Sequence, residues 1–333
     1  MTERGRFFLL MALLTGLVVV LFVASLLIGP AGLGISASLS ALFAADGDVV
    51  AIVMQEIRLP RAILGAAIGA TLGLSGAAMQ GYLRNPLAEP GLLGVSASAS
   101  LGAVMAIYTG LSSSFPLALP LMALGGALVA VVFVRLLAGE SATPISLILA
   151  GVAVSSLAGA LTSLVLNLSP NPFAALEIVF WMLGSLKDRS MTHVWLSLPF
   201  MVVGWIMLAQ VARALDALTL GEVTAASLGF KLSRVQALVV LGTAASVGAA
   251  TAVAGAIGFI GLIVPHVLRP LVGSHPSRLL GASALGGAAV LLAADIAVRV
   301  IAPERDLKLG VLTALVGAPF FLWLIFKTRR EMI

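Results

Sequence analysis

The chain has 333 residues, of which 60% are hydrophobic and only 10% are charged. A soluble core of this size does not need so much apolar sequence, and apolar stretches of about 17–24 residues recur along the whole chain, each long enough to cross a bilayer as a helix. The absence of cysteine excludes a disulfide framework and a thiolate metal site. The composition therefore predicts an all-α polytopic membrane protein.

Ten apolar segments are predicted to span the membrane: 7–28, 60–80, 92–109, 117–137, 144–166, 193–212, 233–254, 256–272, 278–301 and 310–327. The first is not expected to be a cleaved signal peptide, because its apolar run is longer than a secretory h-region. The eighth is interrupted by Pro265 and Pro270 and is barely long enough. An even number of spans places both termini on one side of the membrane.

Positive charge orients this bundle, because basic residues favour the cytoplasmic side. If both termini are cytoplasmic, twelve of the nineteen Lys and Arg lie inside, and the seven outside are Arg58, Arg61, Lys187, Arg189, Arg299, Arg305 and Lys308. The net charge of +5 is explained by topology and by contact with anionic membrane lipid. A nucleic-acid partner is not needed to explain it.

Ionisable residues inside the spans are scarce, which bears on the transport mechanism. Carriers driven by ion gradients use carboxylates near the bilayer midplane, whereas the clear candidate here is Asp295, four residues before Arg299 and able to pair with it. A gradient-driven secondary transporter remains the alternative function. A membrane-embedded enzyme is disfavoured, since no nucleophile–base or metal constellation is seen in the spans and no catalytic or metal residue is predicted.

Residues 218–230 form a polar island between the sixth and seventh predicted spans. Thr219 and Glu222 have the spacing of a capping box, and Gly229 suits a left-handed C-terminal cap, so a short cytoplasmic helix is predicted. None of the four lysines follows a glycine, so the chain has no P-loop of its own. The segment is either an ordinary connector or a knob that docks into a groove on a motor subunit.

Five motifs occur in order along the chain: RLPR at 58–61, LGLSGAAMQGYLRNPLAEPGLLGVS at 72–96, GAIGFIGLIVPH at 255–266, ADI at 294–296 and GVLTALVGAPFF at 310–321. Together they resemble the FecCD-type permeases, the membrane subunits of ABC importers for iron-siderophore complexes, haem and cobalamin. The similarity covers essentially the whole chain in the family's order and spacing.

The resemblance implies a type II ABC importer permease fold in a single transmembrane domain, 1–333, with about ten helices. It further implies a homodimer with the translocation path at its interface, two ABC ATPase subunits that use the ATP, and a periplasmic or lipid-anchored substrate-binding protein. The chain is then a transport subunit of the bacterial inner membrane, without a cofactor, rather than an enzyme. Its substrate is expected to be an iron chelate (siderophore or haem) or cobalamin.

Docking of the binding protein is expected at the outer arginines. Arg58, Arg61 and Arg299 match the family's docking positions, and Arg305 is a nearby addition. Arginine suits this role because its planar fork pairs with a carboxylate through two hydrogen bonds. The alternative is an intramolecular ion pair, Arg58 with Glu56 or Arg299 with Asp295.

The remaining predicted site residues fall in two groups. Segment 218–230 occupies the position of the family's ATPase-coupling helices, and the residues expected to act there are Thr219, Gly221, Glu222, Ser227, Leu228 and Gly229. The segment around Met79 is a candidate for the translocation path, through Ala78, Met79 and Gln80. Packing is the alternative role for methionine.

Overall fold

The computed structural model describes residues 2–29, 34–44, 48–139, 143–169, 171–303 and 306–331. The regular structure of these residues is helical throughout, which confirms the all-α prediction. The α-helices are α1 (Glu3–Leu27), α2 (Ile35–Ala41), α3 (Val49–Ile52), α4 (Leu59–Leu83), α5 (Val95–Tyr108), α6 (Leu111–Ser114), α7 (Ala118–Ala138), α8 (Pro144–Asn167), α9 (Pro172–Met182), α10 (Met191–Gln210), α11 (Ala212–Leu218), α12 (Glu222–Ser227), α13 (Leu232–Ala254), α14 (Ile260–Leu268), α15 (Pro276–Ile301) and α16 (Leu309–Glu331).

Eight helices among the described residues are long and apolar enough to cross a membrane. One of them is the continuous helix Val49–Leu83, in which α3 and α4 are joined by a π-helical turn at Val53–Arg58. Their outward faces carry large apolar side chains, as at Leu13 of α1 and Leu128 of α7. An apolar exterior of this extent is stable only in contact with lipid, and a multi-pass membrane protein follows.

Two of the ten predicted spans are shorter than expected. The segment 92–109 contains α5, whose 14 residues cover only about 21 Å, and the segment 256–272 contains the nine residues of α14 followed by a 3-10 turn. Left-handed residues precede both helices, Gly94 before α5 and Phe259 before α14, so neither can extend backwards as a regular helix. The predicted number of ten membrane helices is therefore approximate.

Helix α4 forms the centre of the bundle, packed against α10, α13, α14 and α15. Its contact with α15 brings backbone against backbone: a Cβ on Gly73 would collide with the carbonyl oxygen of Ser283, and one on Gly69 with that of Gly287. Small residues allow this approach, which favours packing in lipid. The pair α4–α15 joins the two ends of the bundle and thereby positions both candidate sites.

Candidate functional site

The end of the bundle where α4 begins and α15 finishes holds a buried charge cluster, which we call the outer cluster: Arg58, Arg61, Asp295 and Arg299. Arg61 donates from Nε to both carboxylate oxygens of Asp295 at 3.0 Å and from Nη2 to Oδ1 at 2.8 Å. Arg299 Nη2 lies 3.0 Å from Oδ2 of the same carboxylate. Asp295 is only 1% exposed, so its charge is fully engaged by two guanidinium groups.

Arg58 lies in the π-helical turn and is directed at the end of α1. Its Nη1 donates to the carbonyls of Leu26 at 2.9 Å and Leu27 at 3.0 Å. The residue is 5% exposed, whereas Glu56, the pairing alternative from the sequence, is exposed on the opposite side of the turn. A helix leaves its last carbonyls without partners, and Arg58 caps two of them on α1.

Arg299 caps the other two carbonyls at the end of α1. It donates from Nη1 to the carbonyls of Ser25 at 2.8 Å and Ile28 at 2.7 Å, and from Nη2 to the Ser25 hydroxyl oxygen at 2.7 Å. The negative end of the α1 dipole favours this positive charge. The ion pair between Arg299 and Asp295 is present as well. Arg299 therefore joins α1 to α15, and Asp295 extends the link to Arg61 of α4.

The outer cluster opens into a cavity of about 160 Å³, the outer cavity, which Arg61 and Arg299 line together with Lys187 and Asp306. The side chain of Arg61 is 17% exposed there. Two of the docking candidates therefore reach an accessible surface in this structure, whereas Arg58 lies beneath it. Arg305 lies outside the described residues.

The rim of the outer cavity is less buried than its base. Lys308 Nζ donates to Asp306 Oδ2 at 2.6 Å, and this hydrogen bond holds the pKa of the Asp306 carboxyl below its usual range. Lys187 Nζ lies 3.7 Å from the same oxygen. The sequence does not mark Lys187 as a site residue, because its only local signal is the charge itself.

The candidate path residues lie inside the subunit. Ala78, Met79 and Gln80 are buried on the middle helix α4. The Gln80 amide donates to the carbonyl of Leu262 at 3.3 Å and accepts from Arg269 Nη2 at 2.8 Å. Within this subunit the three residues pack in the interior, and their role in the translocation path stays a prediction.

At the opposite end of the bundle, the short helix expected within 218–230 is α12, but its start differs from the prediction. Gly221 is the N-cap, with φ of 102°, and makes no side-chain cap. Thr219 instead follows the last turn of α11, where its hydroxyl donates to the Asp216 carbonyl at 2.6 Å. The predicted capping box of Thr219 and Glu222 is wrong because α11 extends to Leu218.

The predicted C-terminal cap of this helix is present. Gly229 has φ of 90°, its N–H donates to the Ala226 carbonyl at 2.9 Å, and the Phe230 N–H donates to the Ala225 carbonyl at 3.2 Å. This pair of hydrogen bonds is the Schellman motif, which glycine favours because it adopts positive φ without a steric penalty. The chain turns sharply here into α13.

Helix α12 exposes apolar side chains that nothing else in the described chain covers. Val223 is 83% exposed, and Leu228, the C-cap residue of the helix, is also exposed. Ser227 donates its hydroxyl to the Val223 carbonyl at 3.0 Å, within the helix. Exposed apolar side chains on a short helix outside the spans are typical of a protein-interaction surface.

Two contacts hold this region against the central helices. Arg84, which ends α4 in a left-handed conformation, donates from Nη2 to Glu222 Oε1 at 3.1 Å. Asp216 Oδ1 accepts from the Ser277 N–H at 2.9 Å, in the first turn of α15. The sequence reveals neither contact, since 138 positions separate the members of the first and 61 those of the second.

A third feature is an open apolar cavity of about 500 Å³ between the end of α9 and α16, which we call the α16 cavity. Its lining on α16 includes three small residues, Gly310, Ala314 and Ala318, spaced four apart. On α8, Ser156, Gly159 and Ser163 also lie on an exposed face. Small residues at helical spacing favour close helix–helix contact in a membrane.

This geometry defines a class of protein: a helical multi-pass membrane protein with a charged cluster at one end and an exposed short helix at the other. The chain belongs to the FecCD transport family, whose model matches residues 17–327. It is 42% identical over 281 residues to the cobalamin import system permease protein BtuC of Halobacterium salinarum, covering 84% of this chain and 74% of the relative.

A second relative is the Fe(3+) dicitrate transport system permease protein FecD of Escherichia coli, 38% identical over 278 residues, which cover 83% of this chain and 86% of the relative. A solved metal-chelate type ABC transporter in an inward-facing conformation superposes with a TM-score of 0.84 at 32% identity, over 95% of this chain and 98% of the other. The chain is therefore a permease subunit of an ABC importer.

Proposed function

We propose that this permease acts as a homodimer in the bacterial inner membrane, with both termini cytoplasmic, and imports an iron chelate (siderophore or haem) or cobalamin. Two ABC ATPase subunits supply the energy, and a periplasmic or lipid-anchored binding protein delivers the substrate. The names of the relatives, which specify cobalamin and ferric dicitrate, support this substrate class. The excess of Lys and Arg at the α12 end supports the orientation.

The observation that carries the proposal is the exposed helix α12, since nothing in the described subunit covers Val223 and Leu228. We assign the ATPase contact to this helix and to Glu222 and Gly229 at its two ends. Coupling then depends on the position of α12, which its two terminal glycines fix through their positive φ.

The test replaces Gly229 with alanine and measures uptake and ATP hydrolysis in vesicles that contain the ATPase and the binding protein. Gly229→Ala should leave membrane insertion intact and reduce uptake per ATP hydrolysed. Gly110→Ala is the matched control, because Gly110 is also exposed, has φ of 70° and has open space around its Cβ position. Equal uptake per ATP in the two variants would remove the coupling role from α12.

For docking, the proposed site is the outer cavity. Arg61 and Arg299 are reachable there, but Asp295 already holds both. A carboxylate of the binding protein therefore has to replace Asp295 as their hydrogen-bond partner, and docking is an exchange of carboxylates. Arg58 contributes its charge from beneath the surface, and the role of Arg305 stays a prediction.

Affinity of the binding protein for the permease in nanodiscs tests this site. Arg61→Glu and Arg299→Glu should each abolish docking, and docking to the unaltered permease should weaken as salt rises, because salt screens exposed charges. Arg213→Glu, which changes an exposed charge at the opposite end, should dock normally. Normal docking of Arg61→Glu would exclude the outer cavity.

For the subunit interface, we propose two exposed regions, the small-residue face of α8 and the α16 cavity. The role of Ala78, Met79 and Gln80 in the translocation path stays a prediction. The chain has no cysteine, so single cysteines report cleanly. Ala314→Cys and Ser163→Cys should form crosslinks between two copies, whereas Leu128→Cys on the exposed face of α7 should not. Crosslinking through Leu128→Cys alone would place the interface on α7.

A further inference from the structure

The α12 end of the bundle contains a cavity that the proposed transport function does not use. Its volume is about 290 Å³, and it lies where α7 ends and where α8 and α13 begin. Its polar lining comprises Arg135 from α7 and Ser233, Arg234 and Gln236 from α13. We call it the inner cavity.

The charges of the inner cavity are uncompensated within the described part of the chain. Neither Arg135 nor Arg234 takes part in an ion pair there, unlike Arg61 and Arg299 of the outer cluster. Ser233 and Gln236 add a hydroxyl and an amide, both able to donate hydrogen bonds. Two guanidinium groups with neutral donors beside them suit a phosphate group, which arginine binds through two parallel hydrogen bonds.

The position of the inner cavity limits the source of such a phosphate. Arg135 lies in the last turn of α7, and Arg234 lies in the first turn of α13. Membrane spans end at the depth of the lipid headgroups. Nearer the middle of the spans, Val132 and Phe133 on α7 and Leu149 on α8 are exposed apolar side chains. A polar pocket at headgroup depth with an apolar surface below it matches a phospholipid.

We propose that the inner cavity binds the headgroup phosphate of an anionic phospholipid through Arg135 and Arg234, with the acyl chains against the exposed faces of α7 and α8. Basic pockets between membrane helices recognise anionic headgroups in this way. Arg234 also lines a neighbouring cavity of about 430 Å³ with Gly229 and Lys231. A bound lipid therefore lies next to the end of the coupling segment and fixes the start of α13.

The experiment compares the full-length permease in nanodiscs of phosphatidylcholine with increasing fractions of phosphatidylglycerol, read by thermal unfolding and by native mass spectrometry of retained lipid. The unaltered protein should gain thermal stability and retain phosphatidylglycerol. The double variant Arg135→Gln/Arg234→Gln should need a roughly tenfold higher fraction for the same gain, since two charge-assisted hydrogen-bonding groups are lost.

The matched control is Arg6→Gln/Arg213→Gln, which removes the same charge from two exposed positions outside the cavity. It should keep the lipid effect. An equal loss in both double variants would contradict a specific site and indicate diffuse attraction. Stabilisation of phosphatidylcholine nanodiscs by inorganic phosphate, to the same extent as by phosphatidylglycerol, would also overturn the lipid assignment.

Two further outcomes would overturn the proposal. The first concerns Glu140, an acidic residue that follows the cavity residue Gly139 in the sequence and lies outside the described residues. Loss of the lipid effect in Glu140→Gln would contradict a site formed by the arginines. No response to phosphatidylglycerol, combined with failure of Arg135→Gln/Arg234→Gln to copurify with the ATPase, would assign the inner cavity to that protein.

Discussion

The two ends of the bundle use charge in opposite ways. At the outer end, Arg58 and Asp295 are buried, Arg61 and Arg299 are partly buried, and their hydrogen bonds are made within the bundle. At the inner end, Arg84 and Glu222 are each 47% exposed, and Arg135 is unpaired among the described residues. The outer cluster is thus part of the folded core, and the inner charges are open to other molecules. Arginines that look alike in the sequence therefore differ in how accessible their side chains are to a partner.

The physical origin of the difference lies at the end of α1. Its carbonyls at residues 25–28 lack helical partners, and Arg58 and Arg299 satisfy all four. Asp295 then balances the positive charge gathered by this capping. The inner helices α11 and α12 solve the same problem locally, through Thr219 and the Schellman motif at Gly229, so their C-terminal ends are capped without a distant arginine.

The central pair α4–α15 connects these ends. Arg61 and Arg84 lie at the two ends of α4, while Asp216 is bound at the start of α15 and Asp295 lies near its finish. The close backbone contact at Gly73 makes the pair resistant to sliding. A change at the outer cluster therefore has a continuous, closely packed route to the contacts that position α12.

The largest effect is expected from Asp295→Asn. The substitution leaves Arg61 and Arg299 buried without their carboxylate, and breaking a buried ion pair in this way costs about 3–5 kcal/mol. Unfolding of the purified permease in a denaturing-detergent titration measures this loss. If docking exchanges carboxylates, the folded fraction of Asp295→Asn should hold the binding protein more tightly, because the Asp295 carboxylate no longer competes for Arg61 and Arg299.

Asp306→Asn is the control for this prediction. Asp306 pairs with Lys308 at the same mouth of the bundle, but its side chain is 45% exposed, so the pair is screened by solvent and its loss should cost at most about 1 kcal/mol. Equal destabilisation by the two variants would show that burial does not distinguish the outer cluster from ordinary surface pairs.

The sequence predicts the elements better than their long-range contacts. Apolar periodicity and length are local, and they placed the long helices correctly; the left-handed cap at Gly229 was also readable from its residue type. The pair Arg61–Asp295 joins residues 234 positions apart, and only the local pair of Asp295 with Arg299 was visible. The capping of α1 by Arg58 depends on the π-helical turn, for which the sequence has no signal.

Long-range packing also limits what the sequence reveals at the candidate sites. Thr219 has the right spacing to Glu222 for a capping box, yet the extension of α11 gives its hydroxyl a different acceptor. Met79 lies in a motif that suggests function, but the packing of α14 against α4 buries it. In both cases the tertiary arrangement decides between two local possibilities that the residues alone leave open.

An intermediate effect is expected from Gly73→Ala, which tests the connection between the ends. A Cβ at this position would collide with the Ser283 carbonyl oxygen, so α4 and α15 have to separate, at a cost of about 1–3 kcal/mol. Detergent-titration unfolding measures the change. Gly125→Ala on α7 has open space at its Cβ position and should be neutral or slightly stabilising, because alanine favours the helix.

If Gly73→Ala is as stable as Gly125→Ala, the close packing of α4 and α15 is not essential to the fold. If it is destabilised but still couples uptake to hydrolysis normally, the pair does not transmit between the two ends. Uptake per ATP in reconstituted vesicles separates these outcomes.

The smallest effect on stability is expected at the inner pair. In a double-mutant cycle with Arg84→Ala and Glu222→Ala, the interaction energy should be about 0.2–1 kcal/mol, because both side chains are half-exposed. It should also fall as salt rises, since mobile ions screen an exposed pair.

Uptake per ATP should nevertheless decrease in either single variant, because the pair aligns α12 with the end of α4 rather than stabilising the bundle. The contrast between the two ends would be contradicted by an interaction energy as large as the decrease in unfolding free energy caused by Asp295→Asn. The Arg84–Glu222 pair would then stabilise the fold as much as the outer cluster does, and exposure would not explain where the permease binds its partners.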